Sequence, residues 1–511
     1  MAAEMVAGFA FRFLISIVEA APFLLAGLIT AAVLRRFFGV AGTRRLFGEG
    51  TRWGLFRAWL IGMLLPVCSL GVIPVIRELR RAGVRGGTIL AFAVSGPLFN
   101  PLSLLYGLTL SEPMAIVLFG LSSLVIVTAA GIIWDWCFPQ SALPAPEEET
   151  YGIGSRRMLA VAAAAARESC GASLVWVLTG LSGVGLAGAF LPPNSLQHTF
   201  NHDNPWAPLL MTGLAIPVYA TPMLAMTQLG MMFQHANSVG AAFVLLILGA
   251  GMNFGLLGWS MAEYGFRRGL AWLLLISGIA LGLALILDKP LFPQDIEPSD
   301  HTHAFDIYCR PFDSVPDVVA AFQQRLERDV SPWEWRPLFV IGGLACLGLG
   351  LRLADRRERF EAWLRQSRTV ATPGRFDIVI PGPVLGLLSL AGLIGLSISG
   401  CYAWYPAPAD CLVAMTDARI GALSAALAMD HGETKYWSER YDDWTRKMEV
   451  GTWLRYGSLP LYHRWKTRLV REQLEMLEHE VDGGDREAVQ KLVTAISKSQ
   501  RRMSEAYREE L

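Results

Sequence analysis

The sequence predicts an all-α polytopic membrane protein, and three observations predict it: the composition, the long apolar runs and an internal repeat. Of the 511 residues, 53% are hydrophobic and 17% are charged, whereas soluble domains usually carry about 25% charged residues. Several apolar runs reach about 20 residues, which is enough for a helix to cross a bilayer. The first run, over 6–34, is too long for a cleavable signal and contains Arg12 and Glu19.

Several other classes of protein are excluded by what the sequence lacks. The formal net charge is zero, so nucleic acid is not an expected partner. The seven cysteines form no Cys-x-x-Cys pair, and no Gly-Lys dipeptide occurs, which argues against a zinc ribbon, a thioredoxin-like motif and a phosphate-binding loop. No Ser/His/Asp set, His-Glu-x-x-His motif or paired carboxylate stands out. We therefore expect a protein that is not an enzyme and needs no cofactor.

Two stretches, 66–100 and 219–253, echo each other at a distance of 153 residues. Each has a Pro-containing polar break, a short connector and an apolar run opened by a glycine. Each run ends in a Gly-x-x-x-Asn pattern, at Gly96 and Asn100 and at Gly249 and Asn253. Paired hydrophobic segments interrupted by Gly or Pro point to the binding site of a transporter built from inverted repeats.

Ten membrane segments are predicted, near 6–33, 54–76, 87–110, 113–134, 171–190, 207–232, 239–262, 269–287, 337–353 and 378–400. A charged tail follows them. Its apolar spacing predicts amphipathic helices over 462–511, carried by Leu469, Leu474, Leu477, Val489, Leu492 and Ile496. Gly483 and Gly484 divide these helices, with Asp485 as the N-cap of the second.

These patterns divide the chain into six sections. They are a first repeat (1–136), a polar linker with an amphipathic segment (137–170), a second repeat (171–288), a polar loop (289–336), two additional spans (337–400) and a helical soluble tail (401–511).

Two topologies compete, and the basic loops favour one of them. The loop 34–53 carries five Arg and the connector 77–86 carries four, and such loops stay in the cytoplasm. Both are cytoplasmic if 54–76 is a re-entrant hairpin, whereas ten full spans would place them on opposite sides. If 207–232 is also a re-entrant hairpin, each half has three spans and one hairpin. Because three is an odd number of crossings, the second half is then inverted relative to the first.

The hairpin topology places the loop 288–336 and the tail on the outer side. An oxidising environment there permits a disulfide between Cys401 and Cys411, or between either of them and Cys309.

The first break and the two asparagines are the main candidates for a binding site. Cys68 and Ser69 lie at the break, and a thiolate is a soft ligand for soft ions, although a free Cys also behaves as a small buried hydrophobe. Asn100 and Asn253 occupy equivalent places, where an amide either joins helices or binds a substrate. The second-half counterparts of Pro66 and Cys68 are Tyr219 and Thr221.

Glu19 lies deep in the first span, and an intramembrane carboxylate is a candidate functional group. It is predicted either to couple proton movement to transport, to pair with Arg12 two helical turns away, or to lie near the interface. Seven of the 17 Met fall between 211 and 261. Met can ligate Cu(I), but ordinary packing is the favoured interpretation.

Two histidine pairs have spacings that a metal site could use: His198 with His202, and His301 with His303. Surface loops are favoured over metal binding at both, because Asn201 and Pro205 disfavour a helix at the first pair.

The run PVCSLGVIPVIRELRRAGVRGGTILAFAVSGPLFNP (66–101) resembles the signature of a predicted permease family that includes the trivalent organoarsenical efflux permeases (the ArsP/YraQ-like permeases). The run AIPVYATPMLAMTQLG through GAGMN is similar to the family's second repeat. The resemblance covers roughly 6–288. It implies a substrate site that includes Cys68, Ser69, Pro74, Asn100, Pro222 and Asn253, to which the repeat adds Gly96, Thr221 and Gly249.

The sequence departs from the arsenical branch because Leu70 stands where a second Cys is often found. The predicted function is nevertheless a membrane permease, namely a secondary exporter of a small soft metal, metalloid or thiol-reactive solute. The partners implied are that solute, with Cys68 as a candidate metal ligand, and the lipid bilayer of a bacterial inner membrane. The alternative is a non-transporting sensor or scaffold that binds a partner through the tail.

Overall fold

The structure is a computed structural model that describes residues 2–48, 51, 53–110, 113–139, 155–293, 302–312, 316–355, 359–365 and 380–509. Every regular element in these residues is a helix. Within the described residues, six helices are long and apolar enough to cross a membrane, and a bent pair of helices adds a seventh candidate. The predicted all-α polytopic class is therefore confirmed.

The helices of the first half are α1 (Ala2–Val33), α2 (Gly39–Leu46), α3 (Gly54–Leu64), α4 (Val72–Arg81), α5 (Gly86–Ser95), α6 (Pro101–Leu110) and α7 (Pro113–Cys137). Those of the second half are α8 (Ser155–Ser169), α9 (Ala172–Phe190), α10 (Ala207–Ala215), α11 (Pro222–Gln234), α12 (Val239–Val244), α13 (Phe254–Tyr264) and α14 (Phe266–Leu287). A π-helical turn, Leu34–Phe38, joins α1 to α2, and another, Leu245–Ala250, extends α12.

The C-terminal helices are α15 (Val318–Asp329), α16 (Trp335–Ala354), α17 (Arg359–Arg365), α18 (Gly382–Trp404), α19 (Pro408–Leu427), α20 (His431–Tyr456), α21 (Leu461–Gly483) and α22 (Arg486–Glu509). Of these, α16 and α18 are long and apolar enough to cross a membrane. The two additional spans predicted near 337–353 and 378–400 correspond to them.

Four predicted membrane segments are broken rather than continuous. The segments 54–76 and 207–232 break at 65–71 and 216–221, as the prolines predict. The segments 87–110 and 239–262, predicted as spans, also contain breaks, at 96–100 and 251–253. At the last break the flanking helices meet at a bend of 59°. At 96–100 and at 251–253 an asparagine, Asn100 or Asn253, caps the helix that begins there, a role that a polar residue performs well.

The two halves repeat the same tertiary hydrogen bond. Asp135 Oδ1 accepts the backbone N–H of Gly87 at 2.8 Å, and Asp288 Oδ1 accepts that of Gly240 at 2.6 Å. Donors and acceptors are each 153 residues apart. Both carboxylates thus satisfy an N–H in the first turn of a helix, where the helix itself offers no partner.

Close helix contacts repeat at the same offset. A Cβ on Gly87 would collide with the carbonyl oxygen of Gly131, and one on Gly240 would lie 2.9 Å from that of Ala284. Glycine at both positions allows the helices to approach backbone to backbone. The repeat predicted from sequence is therefore present in the packing.

The counterpart helices run in opposite directions. The residues of α9 come 153 positions after those of the later part of α1, which makes the two helices counterparts. Gly8 near the start of α1 packs against Gly188 near the end of α9. At the opposite ends, Leu28 of α1 shares a buried cluster with Val177 of α9. Antiparallel packing of equivalent helices is the arrangement of inverted repeats.

The chain divides into two compact units, one of residues 1–104 with 114–397 and the other of 105–113 with 398–511. In the second unit, α19 to α22 pack around a core that includes Met415, Tyr441, Met448, Val470, Leu474, Leu477, Val489 and Ile496. The predicted amphipathic helices are confirmed, except that Leu469 is 40% exposed and Val470 takes the core position. Asp485 Oδ1 accepts the N–H groups of Glu487 and Ala488 at 3.0 Å, which confirms its role as a cap.

The predicted disulfide is absent, since all seven cysteines are free thiols. Cys411 lies in the tail core, where its thiol donates toward the carbonyl oxygen of Pro406 at 3.8 Å. Burial raises the pKa of Cys411 to about 12. Cys401 lies near the C-terminal end of α18, whereas Cys411 lies in α19, and Cys401 is not part of that core.

Candidate functional site

The first break places a thiol at the start of α4. The carbonyl oxygen of Cys68 accepts the N–H of Val72 at 2.8 Å, and its Sγ accepts the N–H of Gly71 at 3.4 Å. Cys68 and Ser69 are both fully buried. Pro74 lies in the first turn of α4, where its missing N–H removes no helical hydrogen bond.

The second break is built from different side chains. Thr221 Oγ1 accepts the N–H of Leu224 at 3.1 Å, and Pro222 occupies the first position of α11, where proline is favoured. Thr221 therefore caps a helix and does not take the place of a second thiol. The break is tied to the adjacent π-helical turn by a hydrogen bond from Ala220 N to Gly249 O at 3.4 Å.

The first and second breaks meet in one buried cluster. Cys68, Leu70 and Tyr219 belong to it, together with residues of α1 and α9. The Tyr219 hydroxyl lies close enough to the Cys68 thiol to interact with it. Each half thus contributes a side chain from its break to the same small volume.

Glycines bring the remaining breaks into contact with these two. A Cβ on Gly180 of α9 would lie 2.5 Å from Leu70 Cδ2 and 2.8 Å from Asn253 Oδ1. One on Gly251 would lie 3.1 Å from Leu98 Cδ2, its counterpart in the first half, and one on Gly96 would lie 3.3 Å from Val67 Cγ2. The four helix breaks (65–71, 96–100, 216–221 and 251–253) therefore adjoin one another.

The two asparagines perform the same local task. Asn100 Oδ1 accepts the N–H of Ser103, and Asn253 Oδ1 accepts that of Leu256, both at 2.8 Å. Asn100 is 1% exposed and Asn253 is fully buried. Because each oxygen is held by a backbone donor, the orientation of each amide follows, and the two Nδ2 groups are donors.

The breaks contain buried polar atoms without partners. Within the described residues, no hydrogen bond satisfies Ser69 Oγ or the Nδ2 atoms of Asn100 and Asn253. Leaving a buried donor unsatisfied costs about 1–3 kcal/mol, and native proteins do so rarely. Three such atoms lie at adjoining breaks, and one of them belongs to Ser69, the neighbour of Cys68 in the chain, so these breaks are the candidate binding site.

Glu19 and Arg12 do not form the ion pair considered from the sequence. Arg12 donates instead to backbone carbonyl oxygens, to Cys309 O at 2.9 Å and to Asp306 O at 3.0 Å. Glu19 is half-buried and close enough to Tyr219 to interact with it electrostatically. The structure thus brings the carboxylate near the second break.

A segment of the predicted polar loop, 302–312, belongs to the first unit and packs against its helices. Gln228 of α11 donates to Ala304 O at 3.0 Å and accepts the hydroxyl of Tyr308 at 3.1 Å. Tyr308 is 1% exposed, and burial raises the pKa of the Cys309 thiol. Hydrogen bonds from α1 and α11 therefore hold this segment in place.

The histidines of the two pairs considered from the sequence lie in loops, as far as the structure describes them. Among the described residues, no group of three or more His, Cys, Asp or Glu side chains could hold a metal ion. His198 and His202 lie in turns between α9 and α10, His303 hydrogen-bonds Asp306 at 2.8 Å, and His301 lies outside the described residues. Cys68 is the one cysteine of the buried cluster.

Sequence reasoning missed three features of this region. They are the Tyr219 hydroxyl as a partner of Cys68, the capping carboxylates Asp135 and Asp288, and the buried segment 302–312. The offset of 153 residues could have revealed the carboxylates, because it relates one to the other as it relates Asn100 to Asn253. Nothing in the sequence signals the burial of 302–312.

Inverted helical repeats with broken helices that meet at a buried polar site define a membrane transport protein. The family comparison agrees with this class: residues 7–288 match the model of a predicted permease family, and the chain belongs to that family. It is also 27% identical over 138 residues to the UPF0718 protein YcgR of Bacillus subtilis (strain 168). That match covers 27% of this chain and 47% of the relative, so it spans about half of the relative's length. No solved structure matches the chain.

Proposed function

We propose that this membrane permease is a secondary exporter of a small metalloid or thiol-reactive solute, which binds at the four helix breaks. The observation that carries the proposal is the set of buried polar atoms without partners among the described residues at the helix breaks, one of which also holds the Cys68 thiol. In an inverted-repeat transporter, the site lies where the two halves meet, so that each half can open it to one side.

The polarity of the site favours an oxygen-bearing solute over a bare soft cation. Each asparagine oxygen already accepts one backbone N–H, whereas neither Nδ2 group has a partner among the described residues, so the groups that the asparagines offer a ligand are chiefly N–H donors. Such donors repel a cation and bind an oxygen atom. A soft cation would also find a single thiolate, fewer than such ions prefer. A hydroxylated trivalent metalloid could condense with the Cys68 thiol, so that the thiol proton and one hydroxyl group leave as water, and its remaining oxygens could accept hydrogen bonds from the amides.

Glu19 supplies a route for proton coupling in this proposal. Its position near Tyr219 would let a change in its protonation alter the electrostatics of the site. The proposal includes the boundaries 1–136 and 171–288 for the two repeats, re-entrant hairpins at 54–76 and 207–232, and a location in the bacterial inner membrane. Pro74, Gly96, Thr221, Pro222 and Gly249 shape the breaks.

The test is uptake into everted membrane vesicles. Soft metals and trivalent metalloids are supplied to vesicles that contain the wild type, Cys68→Ser or the matched control Cys137→Ser, whose cysteine is exposed at the end of α7. We expect the wild type and the control to accumulate a metalloid and Cys68→Ser to lose accumulation. Equal accumulation by Cys68→Ser would remove Cys68 from the site, and no accumulation by the wild type would reject the substrate class.

A second candidate function, a sensor or scaffold that acts through the tail, is favoured by one observation. The exposed face of α21 carries Leu461, Tyr462, Trp465 and Met476, which are 73%, 53%, 74% and 46% exposed. An exposed apolar face on a compact helical unit is typical of an interaction surface. Deletion of 405–511 distinguishes the two functions, since a permease that retains transport without its tail does not depend on a tail partner.

A further inference from the structure

A basic cavity of about 930 Å³ lies away from the four helix breaks. It is enclosed by the π-helical turn after α1, by α2 and by parts of α3, α8 and α18. No acidic residue is among the described residues that line it. Four arginines line it: Arg36, Arg45, Arg57 and Arg157.

The charge of these arginines is only partly neutralised. Arg36 pairs with Glu361 at 2.9 Å, but the same carboxylate also pairs with Arg167 at 3.1 Å. Arg57 donates to the carbonyl oxygen of Arg45 at 3.1 Å. No carboxylate of the described residues pairs with Arg45, Arg57 or Arg157.

Arg157 has the greatest need of an anionic partner among the four arginines. Its guanidinium lies 5.8 Å from the centre of the Phe37 ring, and its Nε is buried with no hydrogen-bond partner in the described part of the chain. Burial lowers the pKa of this guanidinium. A desolvated cation of this kind is stabilised by an anion that accepts its N–H groups.

The cavity also has an apolar wall, which continues onto the exposed surface of the protein. Phe37, Phe38, Ile61, Pro383 and Leu387 line it. Beyond it, exposed apolar stripes run along α3, at Phe56, Leu60 and Leu64, and along α18, at Val384, Leu387 and Leu388. A polar pocket that opens onto apolar helix faces fits a molecule with a charged head and hydrocarbon chains.

We propose that this cavity binds a phosphate-bearing anion, and the apolar stripes favour the headgroup of an anionic phospholipid as its source. The cavity lies where α1 and α18, both candidate spans, reach their ends, beside the exposed Trp53. Exposed Trp is typical of the membrane interface, and basic pockets between helices at the cytoplasmic interface bind phospholipid headgroups. The proposal is independent of the transport site.

The test measures lipid retention by the full chain in detergent. Native mass spectrometry follows titration with phosphatidylglycerol or phosphatidylcholine, and a second arm adds inorganic phosphate and records the thermal unfolding midpoint. The variants are Arg45→Gln, Arg57→Gln and Arg157→Gln. Arg267→Gln, which removes an exposed charge at the start of α14, is the control, and gel filtration verifies that each variant is folded.

We expect phosphatidylglycerol to be retained in preference to phosphatidylcholine, with affinity roughly fivefold weaker for each lining arginine removed and unchanged in the control. Stabilisation by inorganic phosphate that depends on the same arginines, without lipid preference, would support the phosphate site and assign it to a soluble anion. Equal retention of both lipids together with no effect of phosphate would overturn the proposal. So would equal losses in the lining variants and in Arg267→Gln.

Discussion

Asn100 and Asn253 lie 153 residues apart, and each uses its side-chain oxygen to begin a helix while its amide nitrogen stays buried without a partner among the described residues. The oxygen has a structural task in both halves. The nitrogen has none, although satisfying it would stabilise the fold. In each asparagine the oxygen therefore caps a helix, and the nitrogen is left as a donor that a ligand could satisfy.

The close approach of α9 to the breaks predicts a strong difference between two glycines. Gly180→Ala would place a carbon 2.5 Å from Leu70 Cδ2 and 2.8 Å from Asn253 Oδ1, whereas Gly278→Ala in α14 meets nothing within 4 Å. We expect Gly180→Ala to destabilise the protein by about 1–3 kcal/mol through overpacking. Gly278→Ala should be neutral or stabilising, because Ala favours helix more than Gly does. Thermal unfolding of the purified variants measures both, and equal midpoints would contradict the packing at Gly180.

The repeated carboxylate cap predicts matched losses in the two halves. Asp135→Ala and Asp288→Ala each remove the acceptor of one first-turn N–H, so each should cost about 0.5–2 kcal/mol. The exposed Asp203→Ala serves as the control and should cost less. A large loss for one carboxylate and none for the other would argue that the two halves are not stabilised alike.

Much of this arrangement could be predicted from the sequence, and the limits have physical reasons. The prolines of the first and second breaks, and the glycine that opens each apolar run, indicate the repeat directly. The breaks after α5 and α12 were missed because an apolar run with one asparagine also fits a continuous span. The partner of Arg12 was missed because its acceptors, the carbonyl oxygens of Asp306 and Cys309, are almost 300 residues away. Local patterns do not report contacts of that kind.

The buried segment 302–312 predicts a measurable change in cysteine access. Tyr308→Phe removes the hydrogen bond to Gln228 while it keeps the ring that packs against Phe305. We expect the segment to open more often and the buried Cys309 thiol to react several-fold faster with a maleimide, since a lost hydrogen bond of about 1 kcal/mol is a factor of about five. Tyr456→Phe, on the half-exposed surface of α20, is the control. Unchanged labelling of Cys309 would show that this bond does not hold the segment.

The tail should lose stability as the pH rises. Burial, and then the nearby Glu439, raise the pKa of Glu478 well above its ordinary value. The folded tail therefore binds this proton more tightly than the unfolded tail. Its stabilising effect is present at low pH and declines as the pH rises above the unfolded-state pKa of about 4.3 toward the folded-state value.

Hydrogen exchange in α21, corrected for the intrinsic rate, measures this effect. Protection should decline in the wild type as the pH rises above the unfolded-state pKa of Glu478, and it should change less in Glu478→Gln, which stays neutral throughout. Glu487→Gln, an exposed carboxyl at the start of α22, should behave as the wild type. Identical pH profiles for all three proteins would contradict the assignment to Glu478.

The most direct test of the central site is transport by Asn100→Ser and Asn253→Ser. Serine retains the ability to cap a helix but lacks the amide donor, so the two tasks of each asparagine are separated. Asn204→Ser, at a cap in the loop before α10, is the matched control. The account predicts that both variants fold normally and that each loses about tenfold or more in transport of the solute, the effect of one lost hydrogen bond of about 1.4 kcal/mol. Folded variants that transport as well as Asn204→Ser would contradict a binding site at the four helix breaks.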